Sequence, residues 1–192
     1  MKSLLFFLVL ISCGIEDDSL SSSDAATISM IDGTWESHCF IAGFTSVKAT
    51  LIFNAGKSTL NLKYYDNQIC VATSLELKWL SSFSVSGERI DFTFEKVIAI
   101  ISQEASIDDA NKNNLYGYND WKINEEKDVA GKKLSETDDP EPNNGDQSTR
   151  VFKITDNKTL YLSNKNSDQL NTDIRYQKLF SLQQRNLVKS FL

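Results

Sequence analysis

Hydrophobic and polar residues alternate with a period of two along much of this chain. The longest run is "VATSLELKWLSSFSV", residues 71–85. There Val71, Thr73, Leu75, Leu77, Trp79, Ser81, Phe83 and Val85 alternate with Ala72, Ser74, Glu76, Lys78, Leu80, Ser82 and Ser84. Successive side chains of a strand point to opposite faces, so the run predicts one long strand with a buried face and a wet one. A helical period would scatter Glu76 and Lys78 onto the apolar side. Neighbouring segments repeat the pattern. "SVKATLIFN" (46–54) puts Val47, Ala49, Leu51 and Phe53 on one face, and "TLNLKYY" (59–65) turns Leu60, Leu62 and Tyr64 inward. "IDFTFEKVIAII" (90–101) points Ile90, Phe92 and Phe94 inward, and from Val97 onward both of its faces are apolar, so something must cover that end. Turn formers separate the runs at Gly56-Lys57, Asp66-Asn67 and Gly87.

Further strands are predicted over "TWESHCFI" (34–41), "YNDWKI" (118–123), "RVFKIT" (150–155), "TLYLS" (159–163) and "DIRYQKLF" (173–180). "TDNKT" has the composition of a tight hairpin turn. One short helix is expected around residues 107–114. Eight or nine adjacent antiparallel strands with strong alternation predict an all-β, up-and-down barrel rather than a sandwich. Residues 125–148 break the pattern. They carry eight acidic and three basic residues and both prolines of the chain. An exposed, mobile acidic loop is expected there. Its tip, "DDPEPNNGD", does not meet the EF-hand requirement for Gly at the sixth loop position and Glu at the twelfth; counted from Asp139, Asn144 and Arg150 stand there.

At 192 residues, with 41% hydrophobic and 24% charged residues, the chain suits one domain with a real core. A net charge of −6 and a pI near 4.9 argue against nucleic-acid binding and against electrostatic docking on anionic lipid. Chemistry is sparse. The single histidine, His38, and Cys39 are neighbours in a predicted strand and point to opposite faces, so they do not form a Cys-His pair. One histidine and three cysteines offer no zinc-type ligand spacing, and no carboxylate pair stands out among 26 acidic residues. No catalytic set, metal or cofactor is expected.

The N-terminus carries an address. Lys2 precedes "LLFFLVLI" (4–11), which is shorter than the roughly 20 apolar residues a bilayer span needs but suits a signal peptide. The following "LISC", Leu10 to Cys13, resembles the lipobox of bacterial lipoproteins. That resemblance implies removal of residues 1–12, acylation of Cys13 and anchoring in the lipid bilayer through its acyl chains. Gly14, where an aspartate would signal retention in the inner membrane, favours the outer membrane. Residues 13–29, acidic and serine-rich, are expected to form a flexible tether to a domain spanning 30–182, followed by a tail at 183–192. With Cys13 acylated, Cys39 and Cys70 remain as an even pair in an exported chain, and a disulfide between them is expected.

"GTW", Gly33 to Trp35, leading into the first strand of such a barrel is similar to the lipocalin (calycin) signature. The resemblance implies that Gly33 permits a tight chain path, that Trp35 plugs one end, and that an arginine of the last strand, Arg175 or alternatively Arg150, packs over the indole. Cys13, Gly33, Trp35, Cys39, Cys70, "GYNDW" (117–121) and "TLY" (159–161) together resemble lipocalin-like bacterial lipoproteins. A small hydrophobic ligand inside the barrel is then expected, with Tyr64, Trp79, Phe83, Phe92, Phe94 and Tyr118 as its lining. The alternative is a non-enzymatic surface or periplasmic interaction module with a filled barrel, working through the acidic loop and rim. A monomer is expected in either case.

Overall fold

The computed structural model describes residues 28–42, 45–156, 158–163 and 175–179. Cys13, the signal-like segment, the tether as far as residue 27 and the tail at 183–192 lie outside the described residues.

The strands are β1 (Gly33–Ser37), β2 (Phe40–Ala42), β3 (Thr45–Asn54), β4 (Lys57–Tyr65), β5 (Thr73–Ser86), β6 (Arg89–Ile101), β7 (Glu126–Asp128), β8 (Gln147–Thr155), β9 (Thr159–Leu162) and β10 (Tyr176–Leu179). A helix α1 (Glu104–Lys112) and a single 3-10 turn at Leu115–Gly117 follow β6. The sheet runs β1-β10-β9-β8-β6-β5-β4-β3-β2, and β1 also pairs with β3. That second pairing closes a ring of eight antiparallel strands, with β2 and β7 outside it. The expected all-β antiparallel class is present.

Within the ring, alternation sets the faces as the sequence demands. Val47, Ala49, Leu51 and Phe53 of β3 are each at most 4% exposed. Two-residue turns join β3 to β4 and β5 to β6; Ala55 and Gly56 both have positive φ, as the hairpin turns favoured by strand twist require. β6 holds the main irregularity. Leu80 pairs with Lys96 and Ser81 with Phe94, so Glu95 is an extra residue in the ladder. This bulge switches the inward set from Ile90, Phe92 and Phe94 to Val97, Ala99 and Ile101, all buried.

Four expectations are corrected. "TWESHCFI" is not one strand: β1 and β2 are separated at 38–39 and lie end to end along the same edge of β3, leaving His38 exposed. β5 starts at Thr73, and Val71 is 57% exposed. "YNDWKI" is not a strand. The Asn111 side chain of α1 brackets the Trp121 backbone, accepting from its N–H at 2.5 Å and donating to its carbonyl at 3.2 Å. The indole N–H donates to the Leu115 carbonyl at 3.1 Å, so Trp121 is pinned beneath the helix and only 2% exposed.

The fourth concerns the acidic stretch, which is folded rather than loose. Its β7 pairs with β6, Val129 is fully buried, and Lys133 bridges to Pro140. The Glu141 N–H donates to the Lys132 carbonyl at 2.8 Å, and the Gly131 N–H returns to the Glu141 carbonyl at 3.1 Å.

Two apolar clusters fill the fold. One gathers Ile31, Trp35, Phe53, Phe83, Ile90 and Phe92 with their neighbours at one end of the ring. The other gathers Leu77, Val97, Ile101, Tyr116, Trp121 and Val129 at the other end, where α1, the 3-10 turn and the acidic stretch pack. Cys39 and Cys70 form a disulfide with a Cα separation of 5.9 Å. It ties the break after β1 to the β4–β5 connection.

Candidate functional site

The first end is closed by Trp35. Its ring is fully buried, and its N–H donates to the Ile31 carbonyl at 2.7 Å, which turns the helical segment at 28–31 across the opening. The cation over the indole is Lys178, with Nζ 5.0 Å from the ring centroid. This replaces the expected Arg175. The β1–β10 register sets Lys178 opposite Trp35 and Tyr176 opposite Ser37, so those two share the inner face. Arg175 lies an odd number of residues from Lys178, falls on the outer side and is exposed. Lys178 also explains Gly33: a Cβ there would sit 3.0 Å from Lys178 Cε, and the backbone φ of +126° is one that glycine adopts readily.

Between the two clusters the ring encloses a cavity of about 40 Å³. Every ring strand except β1 contributes to its wall. The apolar part is Leu51, Leu60, Trp79, Phe92, Phe94 and Leu162; the polar part is Ser58, Ser81, Arg150 and Tyr176. Ser58 and Ser81 hydroxyls hydrogen-bond each other at 2.8 Å. Arg150 Nη1 donates to the Ser163 carbonyl at 3.0 Å, and among the described residues no carboxylate pairs with this guanidinium. Burial pushes its pKa down, with nearby Tyr176 acting the other way. Burial likewise raises the Tyr176 phenol, and Arg150 opposes that rise.

Three of the six expected lining residues reach this cavity: Trp79, Phe92 and Phe94. Phe83 instead packs edge-to-face on Phe53 at 4.9 Å in the Trp35 cluster. Tyr64 and Tyr118 belong to the far end. Tyr118 lies against two lysines, with Lys132 Nζ 4.6 Å and Lys127 Nζ 4.9 Å from its ring centroid, and its hydroxyl donates to the Asp128 carbonyl at 2.7 Å. The sequence reading missed the polar half of the wall. Arg150 was considered only as a partner for Trp35, yet its even-numbered place among Ser148, Phe152 and Ile154 marks it as inward.

At the far end Glu141 reaches from the acidic stretch to the ring. Its Oε1 accepts from the Tyr116 hydroxyl at 2.9 Å and its Oε2 from the Trp79 N–H at 3.1 Å. Burial raises its pKa above the ordinary carboxylate value; the two hydrogen bonds pull it back, and Asp138 adds to the rise. Tyr116 is 3% exposed and holds a left-handed backbone (φ 54°), which a bulky residue adopts only where its surroundings enforce it. Trp79 therefore serves two structures at once: its ring walls the cavity and meets Phe94 edge-on at 5.7 Å, while its N–H holds the acidic stretch.

A larger open hollow of about 420 Å³ lies beside α1, lined by Asp66, Ser74, Asp109 and Asn113 among others. None of the buried, unpartnered polar atoms of the described residues lies in it. Among the described residues no three of His, Cys, Asp and Glu converge as a metal site requires, and no helix is long and apolar enough to cross a membrane. No family model matches the chain, and no curated protein matches it either.

Proposed function

We propose that this chain is an exported, lipocalin-like lipoprotein, anchored to the outer membrane through acyl chains on Cys13, whose eight-strand ring takes a small apolar ligand into its interior. The observation that carries this reading is the cavity walled by Leu51, Leu60, Trp79, Phe92, Phe94 and Leu162 inside the ring. Its volume of about 40 Å³ is far below the several hundred typical of drug-sized ligands, so the ligand is small or Trp79 swings to admit it. Because Trp79 forms the wall, its fluorescence reports occupancy. Titration of the full chain with benzene or hexanol should give a saturable change that Trp79→Phe removes. A strictly linear response to every apolar probe would sink the reading. Mass spectrometry of the mature N-terminus tests the anchor: a diacylated Cys13 is expected, and an uncut, unmodified Met1 to Cys13 segment refutes it.

A second reading, an interaction module with an inert interior, is favoured by one surface feature. Ile41, Ile69 and Val71 are 61%, 73% and 57% exposed and all lie within two residues of the disulfide that draws their segments together. Exposed aliphatics grouped this way mark contact surfaces more often than scattered ones do. This reading expects Ile69→Ser with Val71→Ser to abolish crosslinking to a partner on intact cells while ligand titrations show nothing.

A further inference from the structure

The polar half of the cavity wall is better built than an apolar ligand needs. A guanidinium removed from water is costly unless an anion or several acceptors compensate it. Arg150 has the Ser163 carbonyl and no carboxylate among the described residues. Two residues along the inner face of β8 and outside the cavity lining, Ser148 is 2% exposed, and its hydroxyl has no hydrogen-bond partner among the described residues. Such orphaned donors are rare in folded proteins and call for a specific explanation. Tyr176, from β10, adds a hydroxyl to the same cavity. The same cavity is walled by Trp79 of β5, which stands opposite β10 in the ring, and by Phe92 and Phe94 of β6, the strand next to β8. The cavity thus brings a guanidinium and a phenol hydroxyl together with aromatic rings in one small space.

The geometry points to a carboxylate carried on a compact apolar body as the ligand, its anionic group on Arg150 and Tyr176 and its hydrocarbon against Trp79 and Phe94. This rests on the reading of the ring as a ligand-binding interior and names the ligand's chemistry. A planar carboxylate accepts two parallel N–H bonds from a guanidinium, which gives orientation as well as affinity. The same head group occurs on short free acids and on fatty acids released from lipid, and the size of the cavity favours the former.

The test compares acid with alcohol on the unaltered full chain, by calorimetry and Trp fluorescence: hexanoate against hexanol, and benzoate against benzyl alcohol. The acids should bind at least about ten-fold more tightly, the factor expected when a charged hydrogen-bonding partner is lost. Arg150→Met should erase that preference and leave the alcohols unchanged, and Tyr176→Phe should weaken acids only. Equal affinity for acid and alcohol overturns the head-group assignment while the apolar-interior reading stands. Binding of neither overturns both. Extending the series to octanoate and hexadecanoate separates the sources: affinity that peaks at the short acids supports the assignment to a compact ligand, and affinity that keeps rising with chain length overturns that part of it. The acid–alcohol comparison needs no variant, so a poorly folding Arg150→Met does not remove the test.

Discussion

The two ends of the ring are closed by different means. At one end a tryptophan is sealed by residues close to it in sequence and by its strand partner. Trp35 bonds to Ile31 four residues earlier, and Lys178 lies over the ring because the β1–β10 register places it there. At the other end, Trp121 and Tyr116 come from an irregular segment after α1. Glu141, which joins Tyr116 to Trp79, is 25 residues from the one and 62 from the other. The first closure centres on one buried indole held by a nearby carbonyl and by a cation from the last strand; the second depends on a half-buried carboxylate brought in by a long detour of the chain. Burial of apolar surface carries most of the first, whereas the second has a carboxylate with a raised pKa at its centre. Access to the cavity between them is therefore expected from the Glu141 end, where Trp79 is shared.

The comparison can be broken most severely at the first end. Trp35→Ala should cost about 3–5 kcal/mol of stability in urea unfolding, the usual range for emptying a buried aromatic site; a loss near zero would show that Trp35 does not seal the ring. Next comes the disulfide, whose half-cystines are 31 residues apart. Reduction, or Cys39→Ser with Cys70→Ser, should lower stability by about 3 kcal/mol through the freer unfolded chain. A melting temperature unmoved by reductant would contradict this.

Glu141→Ala should cost about 1.5–3 kcal/mol, because it leaves the Trp79 N–H and Tyr116 hydroxyl without their charged acceptor. The loss of hydrogen-exchange protection should be confined to residues 115–148 rather than spread around the ring. The pH dependence follows from burial. The folded state holds the Glu141 proton more tightly than the unfolded chain does, so its charge costs stability above the raised pKa. Relative to Glu141→Gln, the parent chain should gain stability as pH falls through that raised value toward the ordinary 4.5. Parallel urea midpoints for the two chains across this window would refute it. The smallest effect belongs to the cation at the first end: Lys178→Met should cost about 0.5–1 kcal/mol. Arg175→Ala, on the exposed outer face, should stay within about 0.5 kcal/mol of the parent. Equal losses for the two would overturn the assignment of Lys178 as the cation over Trp35.

Much of the ring was legible in the sequence because strand alternation is a local property. The faces of β3 and β5 follow from residues two apart, and Gly56 and Gly87 mark the turns between long partners. The pairing of Cys39 with Cys70 followed from counting cysteines once Cys13 was assigned to acylation in a chain expected to be exported. The bulge at Glu95 was less visible, although its trace is the change of apolar parity between Phe94 and Val97. The aromatic lining was half legible. Phe92, Phe94 and Trp79 alternate as cavity residues should, but Phe83 shares their periodicity and sits too near the Trp35 end.

What the sequence by itself determined is the all-β class, the long strands with their inward faces, the turns between them and Trp35 at one end. These depend on neighbours within a few residues, where covalent geometry fixes direction. Tertiary structure decided which cation meets Trp35, that residues 125–148 fold as a cover, and that Arg150 faces a cavity with no acid among the described residues. Each of those rests on register and on contacts between distant segments. A shift of one residue in register reverses every side chain of a strand, and composition carries no record of it.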